Sequence, residues 1–195
     1  MPKKLILIIG APGSGKSTDS KMISEKHKGD ITTISVGALL KEEIKNETGI
    51  GKIAKKYVEK GELVPGQIVM HEVFGRIKNA PTNIVLMDGF PRGLNQMKEM
   101  GDALFMSKDI KLVSVIEIRV SETTARKRVL GSNPSKEEES LFEHKMEVYN
   151  SLIGEIESYY EKENLLKVID GEEDLASIVN EIDAYLETQC ALYKD

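Results

Sequence analysis

The chain has one cysteine, no tryptophan and only 5% aromatic residues in 195 positions. A lone thiol, Cys190, cannot close an intrachain disulfide, so a reducing compartment, the cytoplasm, is the expected location. So few aromatic rings leave little with which to build a stacking platform for single-stranded nucleic acid. A basic excess is missing too: 27 Lys+Arg stand against 32 Asp+Glu, a formal charge of −5, which provides no broad cationic footprint for a duplex. No apolar run approaches the ~20 residues that cross a bilayer, and Leu5 to Ile9 is too short for a signal segment. His27, His71 and His144 lack metal-ligand spacing. Nucleic acid and membrane are therefore not expected partners, and without an exposed pairing stripe a monomer is expected. What remains is the composition of a soluble globular domain, 40% hydrophobic and 30% charged, without repeats or low-complexity segments.

Leu5 to Ile9 is apolar without alternation, the pattern of a strand buried on both faces in a parallel sheet. Ile84 to Met87, Leu112 to Val120 and Leu165 to Ile169 repeat it, and Ile31 to Ile34 is a shorter β-branched candidate. Helical stripes lie between them. They run through Leu39, Leu40 and Ile44; through Ile50, Ile53, Ala54, Tyr57 and Val58 up to Gly61; and through Ile68, Val69, Val73 and Ile77 behind Pro65, which suits a first turn. Ser121 is a candidate N-cap for a helix ending at Gly131. The acidic run Glu137 to Glu139 suits a helix start. Phe142, Met146, Tyr149, Ile153, Ile156 and Tyr160 make the longest stripe, and Leu175, Ile178, Val179, Ile182 and Leu186 the last. All these positions are expected in the core. Strands alternating with helices predict an α/β fold with a five-stranded parallel sheet flanked by helices. The segment 35–64 inserts two helices between strands and is expected to form a small sub-domain.

Gly10-Ala11-Pro12-Gly13-Ser14-Gly15-Lys16-Ser17 matches G-x-x-x-x-G-K-[ST], after a buried strand and before a helix. Chance matches occur on the order of once in a hundred chains of this length, so the signal is specific. Its glycines let successive N–H groups turn inward on phosphate oxygens, and the following helix aims its positive end at the same point. Lys16 reaches the β- and γ-phosphates, and the Ser17 hydroxyl approaches Mg²⁺. Asp88, closing the strand Ile84 to Met87, is placed to hold that metal through water. Asp170 sits similarly after the last strand without other support and is expected to be structural. A phosphate loop alone leaves hydrolase, switch and kinase open. The absence of a guanine-reading N-K-x-D and the inserted segment favour a small-molecule kinase.

Further motifs follow in order along the chain. They are Ser35-Val36-Gly37-Ala38-Leu39-Leu40-Lys41, Gly61-Glu62-Leu63-Val64-Pro65, Asp88-Gly89-Phe90-Pro91-Arg92, Gln96 four residues on, and Arg128-Val129-Leu130-Gly131. With the phosphate loop extended by Thr18 and Asp19, this set resembles the adenylate kinase family through nearly the whole chain. The resemblance implies a P-loop fold with a nucleoside-monophosphate sub-domain (35–64), a short lid (131–139), and the reaction ATP + AMP = 2 ADP with Mg²⁺. It implies ATP contacts from Gly10 through Thr18 and from Ser132 in the lid, with Arg128 over the base and Glu173 near it. It implies AMP contacts from Ser35, Val36, Gly37, Lys41, Glu62, Leu63, Val64, Gly89, Phe90, Arg92, Gln96 and Lys145. Lys16, Asp88, Arg92, Arg128 and Lys145 would serve the transfer itself.

The chain departs from the family pattern where phosphates are gripped. Lys41 and Lys145 stand where the family usually has Arg, and Ser132 where a lid Arg is usual. Asn133-Pro134-Ser135-Lys136-Glu137-Glu138 replaces a further Arg and a D-D pair, while Val36 and Ala38 replace a Thr and an acid. Lysine keeps the charge but loses the planar fork that binds phosphate twice. A transition-state arginine is worth about 10³ to 10⁵ in rate, so a slower kinase is expected. The alternatives are a nucleotide-binding sensor or scaffold with little transfer, or a kinase for another nucleoside monophosphate.

Overall fold

The computed structural model describes residues 2–190. The first apolar run is β1 (Lys3–Ile9), the middle strand of a sheet that continues through β2 (Ile31–Ser35), β3 (Ile84–Asp88), β4 (Ile110–Arg119) and β5 (Leu166–Asp170). The order across the sheet is β2-β3-β1-β4-β5, and every pairing is parallel. β1 shows why its sequence does not alternate. Leu5, Leu7 and Ile9 enter one core and Ile6 and Ile8 the other, with each face covered by helices. Each of these side chains, fully withdrawn from water, contributes about 1.5–3 kcal/mol.

Helices alternate with the strands: α1 (Lys16–Lys26), α2 (Val36–Lys45), α3 (Gly49–Val58), α4 (Gly66–Lys78), α5 (Leu94–Met106), α6 (Glu122–Leu130), α7 (Lys136–Lys162) and α8 (Leu175–Cys190). The larger core lies under α2 to α5 and α7; the second lies under α1 and α8, around Ile23, Ile178, Ile182 and Leu186. Ser35, Thr48, Ser121 and Ser135 cap α2, α3, α6 and α7 with their side-chain oxygens. Ser135 and Glu138 complete a capping box, so the acidic run does start a helix.

Two expectations need correction. Pro65 stands at the N-cap of α4, one step ahead of its first turn. Ile53 and Leu175 are each 43% exposed and not in the core, because they sit on the solvent side of α3 and at the very start of α8. The segment 131–139 comprises the turn 131–135 and the first residues of α7, 136–139. α5 has no counterpart in the sequence reading. No helix of the described residues is long and apolar enough to cross a membrane.

Candidate active site

Strand order decides where a ligand can sit. β1 sends its chain to β2 on one side, while β3 sends its chain across to β4 on the other. Ligands of open α/β sheets bind outside the carboxyl ends of the strands at such a switch. The residues after β1 and β3 are the phosphate loop and Asp88-Gly89-Phe90-Pro91-Arg92. The register Ile8↔Asp88↔Ser35 brings these two segments and the start of α2 level with one another. Above them opens a cleft of about 660 Å³, roofed by α2, the elbow 61–64 and the cleft-facing side of α7.

The loop between β1 and α1 turns through positive φ at Gly10, Gly13 and Gly15; at Gly13 a Cβ would lie 2.6 Å from the Ala125 carbonyl oxygen. Lys16 is buried and donates from Nζ to the Ala11 carbonyl at 3.0 Å, so its ammonium is folded back along the loop. Burial and the Arg92 guanidinium push it down to about 8, against the opposing pull of Asp88 and Asp19. A phosphate anion beside it would favour the charged form. Ser17 donates from Oγ to Asp88 Oδ2 at 2.6 Å, while Oδ1 of the same carboxylate is buried with no hydrogen-bond partner among the described residues. An orphaned carboxylate oxygen next to a hydroxyl, both hard donors, fits Mg²⁺ with its waters.

Arg92 donates from Nε to the Gly89 carbonyl at 2.8 Å, and its guanidinium end faces the start of α2, where a Cβ on Gly37 would stand 3.7 Å from Nη2. Gln96 accepts at Oε1 from the Arg92 amide at 2.7 Å and donates from Nε2 to the Val64 carbonyl at 2.7 Å. That amide ties α5 to the elbow before α4. Lys41 and Lys145 line the same cleft from α2 and α7. Burial lowers the Lys145 ammonium, and the charges of Arg92 and Lys41 lower it further. Between these cations and the core, Val36, Leu40, Val58, Val64, Val69 and Ile156 make an apolar wall fit for a flat base.

Most residues singled out from the sequence meet here. Gly10, Pro12, Lys16 and Ser17 line the cleft, as do Ser35, Val36, Gly37, Lys41, Glu62, Leu63, Val64, Gly89, Phe90, Arg92, Gln96 and Lys145. Ala11, Gly13, Ser14 and Gly15 form the loop's body, and Asp88 lies beneath Ser17. Arg128 is outside the lining and ties the loop to the turn after β5, donating from Nη1 to Ser14 O at 3.1 Å and from Nη2 to Gly171 O at 2.9 Å. Thr18, Ser132 and Glu173 are exposed and do not line the cleft. Asp170 accepts at Oδ1 from the Glu172 amide, a local turn bond.

A sequence profile of the family described as Adenylate kinase matches residues 8–165. The adenylate kinase of Sulfurovum sp. is 41% identical over 192 residues, covering 94% of this chain and 98% of its own length. That of Nitratiruptor sp. is 42% identical over 185 residues, with 94% and 95% covered. That of Helicobacter hepaticus is 40% identical over 185 residues, with 94% and 97% covered. The chain belongs to the adenylate kinase family. Among the alternatives that a phosphate loop leaves open, membership selects a phosphotransferase, and the α/β sheet of five parallel strands is that family's fold.

Two groups in this adenylate kinase site have surroundings that the sequence alone does not disclose. Asp19 is 1% exposed, and its Oδ2 has no hydrogen-bond partner among the described residues. Burial lifts its carboxyl to about 6, while Arg128 pulls the other way. The signal available was spacing, since Asp19 follows Lys16 by three and shares its helix face. Glu99 is the second; it follows Gln96 by three on α5 and faces the start of α4.

Proposed function

We propose that this cleft transfers the terminal phosphate of ATP to AMP, reversibly, giving two ADP. The ATP tail lies in the Gly10–Ser17 nest, and AMP lies under α2 against the apolar wall, with Gln96 offering its amide to the base. The observation that carries this is the convergence on one cleft of an anion nest, four cations (Lys16, Lys41, Arg92, Lys145) and a base-sized apolar wall. An oxygen of the AMP phosphate attacks the γ-phosphorus, the bond to the bridging oxygen breaks, and the electron pair stays on the departing ADP. The attacking oxygen is already ionised, so no side chain has to move a proton. The chain's task is to align the two phosphates and neutralise the charge spread over the transferred group. Arg92, between the start of α2 and the phosphate loop, bridges the acceptor phosphate and the transferred group. Ser17 and, through water, Asp88 would hold Mg²⁺, which would supply positive charge to offset that of the ATP phosphates.

In the same proposal the segment 35–64 carries AMP and the segment 131–139 acts as a short lid. Arg128 lies over the ATP base and Glu173 near it, while Ser132 stands at a lid position that faces the phosphates. A cytoplasmic monomer suits the composition. Lysines at 41 and 145 and a serine at 132 hold phosphate less tightly than arginines, so turnover is slow for the family. A coupled assay offering AMP, CMP, UMP and GMP in turn tests the assignment. AMP is expected to turn over fastest, and Lys16→Ala to remove activity. Equal rates with AMP and CMP would end the assignment to AMP.

A further inference from the structure

The first turn of α4 lacks a cap of its own. Its N-cap is Pro65, which has no side-chain acceptor, and Gly66 follows with nothing beyond its Cα. The space where a Gly66 side chain would begin is taken by another residue: Glu99 Oε2, from α5, lies 1.8 Å from the position of a Gly66 Cβ. That oxygen is shielded from solvent and has no hydrogen-bond partner among the described residues. A carboxylate at the positive end of a helix is stabilised by the helix dipole without a single dedicated donor. A carboxylate lying on that turn also bears on the elbow directly before it, Glu62 to Val64, whose residues line the cleft. One turn back on α5, Gln96 holds the same elbow by its bond to the Val64 carbonyl. Two side chains of α5, three residues apart and on one face, thus grip the two sides of Pro65.

We propose that Glu99 is a positioning residue for the acceptor nucleotide: its carboxylate, seated on Gly66, holds the elbow against α5 so that Gln96 and Val64 meet the base in a fixed arrangement. It does not line the cleft and touches no substrate. The proposal rests on the placement of AMP under α2 given above.

Two independent substitutions reach the same contact. Glu99→Gln keeps the shape and removes the charge. Gly66→Ala keeps the carboxylate but evicts it, since the added methyl occupies its seat. In steady-state assays of the full chain, each is expected to raise KM for AMP about three- to tenfold, leaving KM for ATP and kcat within twofold. The double variant Gly66→Ala/Glu99→Gln is expected to match the singles, because both remove one interaction. A role confined to stability would lower the melting temperature without separating the two nucleotides. Should a variant fold too poorly for kinetics, AMP and an ATP analogue are titrated separately at low temperature, and only AMP binding is expected to weaken. Unchanged KM for AMP in both variants, or equal loss for both nucleotides, overturns the proposal. If the unmodified protein forms no ADP from AMP, the assignment of function fails instead.

Discussion

Lys145 is where this chain's departure from arginine has a physical consequence that can be measured. A guanidinium stays charged at any working pH, but an ammonium does not. Lys145 is half-buried on α7, and beside that burial the charges of Arg92 and Lys41 also disfavour its proton. Its charged form binds phosphate, so binding is complete below its lowered value and fades as pH rises through it, ahead of an ordinary lysine at about 10.4. The kcat/KM for AMP, followed between about pH 7 and 10, is therefore expected to show an alkaline limb that Lys145→Arg moves to higher pH. The limb for ATP, which reflects Lys16, should stay where it was. An AMP limb untouched by the substitution would remove Lys145 from the phosphate site. What the sequence discloses at this scale divides along a similar line. Lys16, Ser17 and Asp88 are legible because a local backbone pattern determines their chemistry. Asp19 and Glu99 are not, since each matters through a neighbour that only the folded chain supplies, Arg128 in one case and Gly66 in the other.

At the scale of elements, α2 and α3 pack backbone against backbone. A Cβ on Gly51 would come within 1.9 Å of the Glu43 carbonyl oxygen and 2.3 Å of its carbon. Neither atom can rotate away, so Gly51→Ala has to push the two helices apart. Overpacking of this kind costs about 1–3 kcal/mol. Because Val36, Gly37 and Lys41 ride on α2, the shift should also raise KM for AMP while sparing that for ATP. Thermal melts and paired KM measurements check both parts; an unaltered melt would mean the helices are not in contact there. α5 shows the opposite side of legibility. Leu94, Met97, Met100 and Leu104 do follow helical spacing, yet Gly93 provides no side-chain cap, and Phe105 and Met106 stand 89% and 81% exposed at its end. Two large apolar residues facing water blur a stripe whose buried side is methionine-rich. Leu5 to Ile9 and Ile84 to Met87 suffer no such blur, because burial on both faces leaves no polar position within either run.

The whole molecule divides into a part that is held and parts that are free to swing. The sheet is covered on both faces, and its carboxyl edge fixes the phosphate loop and Asp88 relative to each other. α2 and α3, by contrast, add mostly partly buried side chains (Leu40, Ile44, Tyr57, Val58) to the margin of the larger core. The turn 131–135 has few buried residues, and the ion pairs of Arg126 with Glu139 and Glu143 brace its two flanking helices near their surface. Segments with few buried apolar contacts open at the lowest free energy. Phosphoryl transfer needs the opposite once both nucleotides are bound, because water in the cleft would weaken every charge contact and compete as acceptor. A bisubstrate inhibitor, two adenosines joined by five phosphates, engages both halves of the cleft at once. Binding is expected to raise amide-exchange protection across 35–64 and 131–139 by an order of magnitude or so, a shift of about 1.4 kcal/mol in local opening, while β1 and β3 change little. Equal protection in those segments with and without the inhibitor would mean that the cleft is preformed and that neither segment closes over substrate.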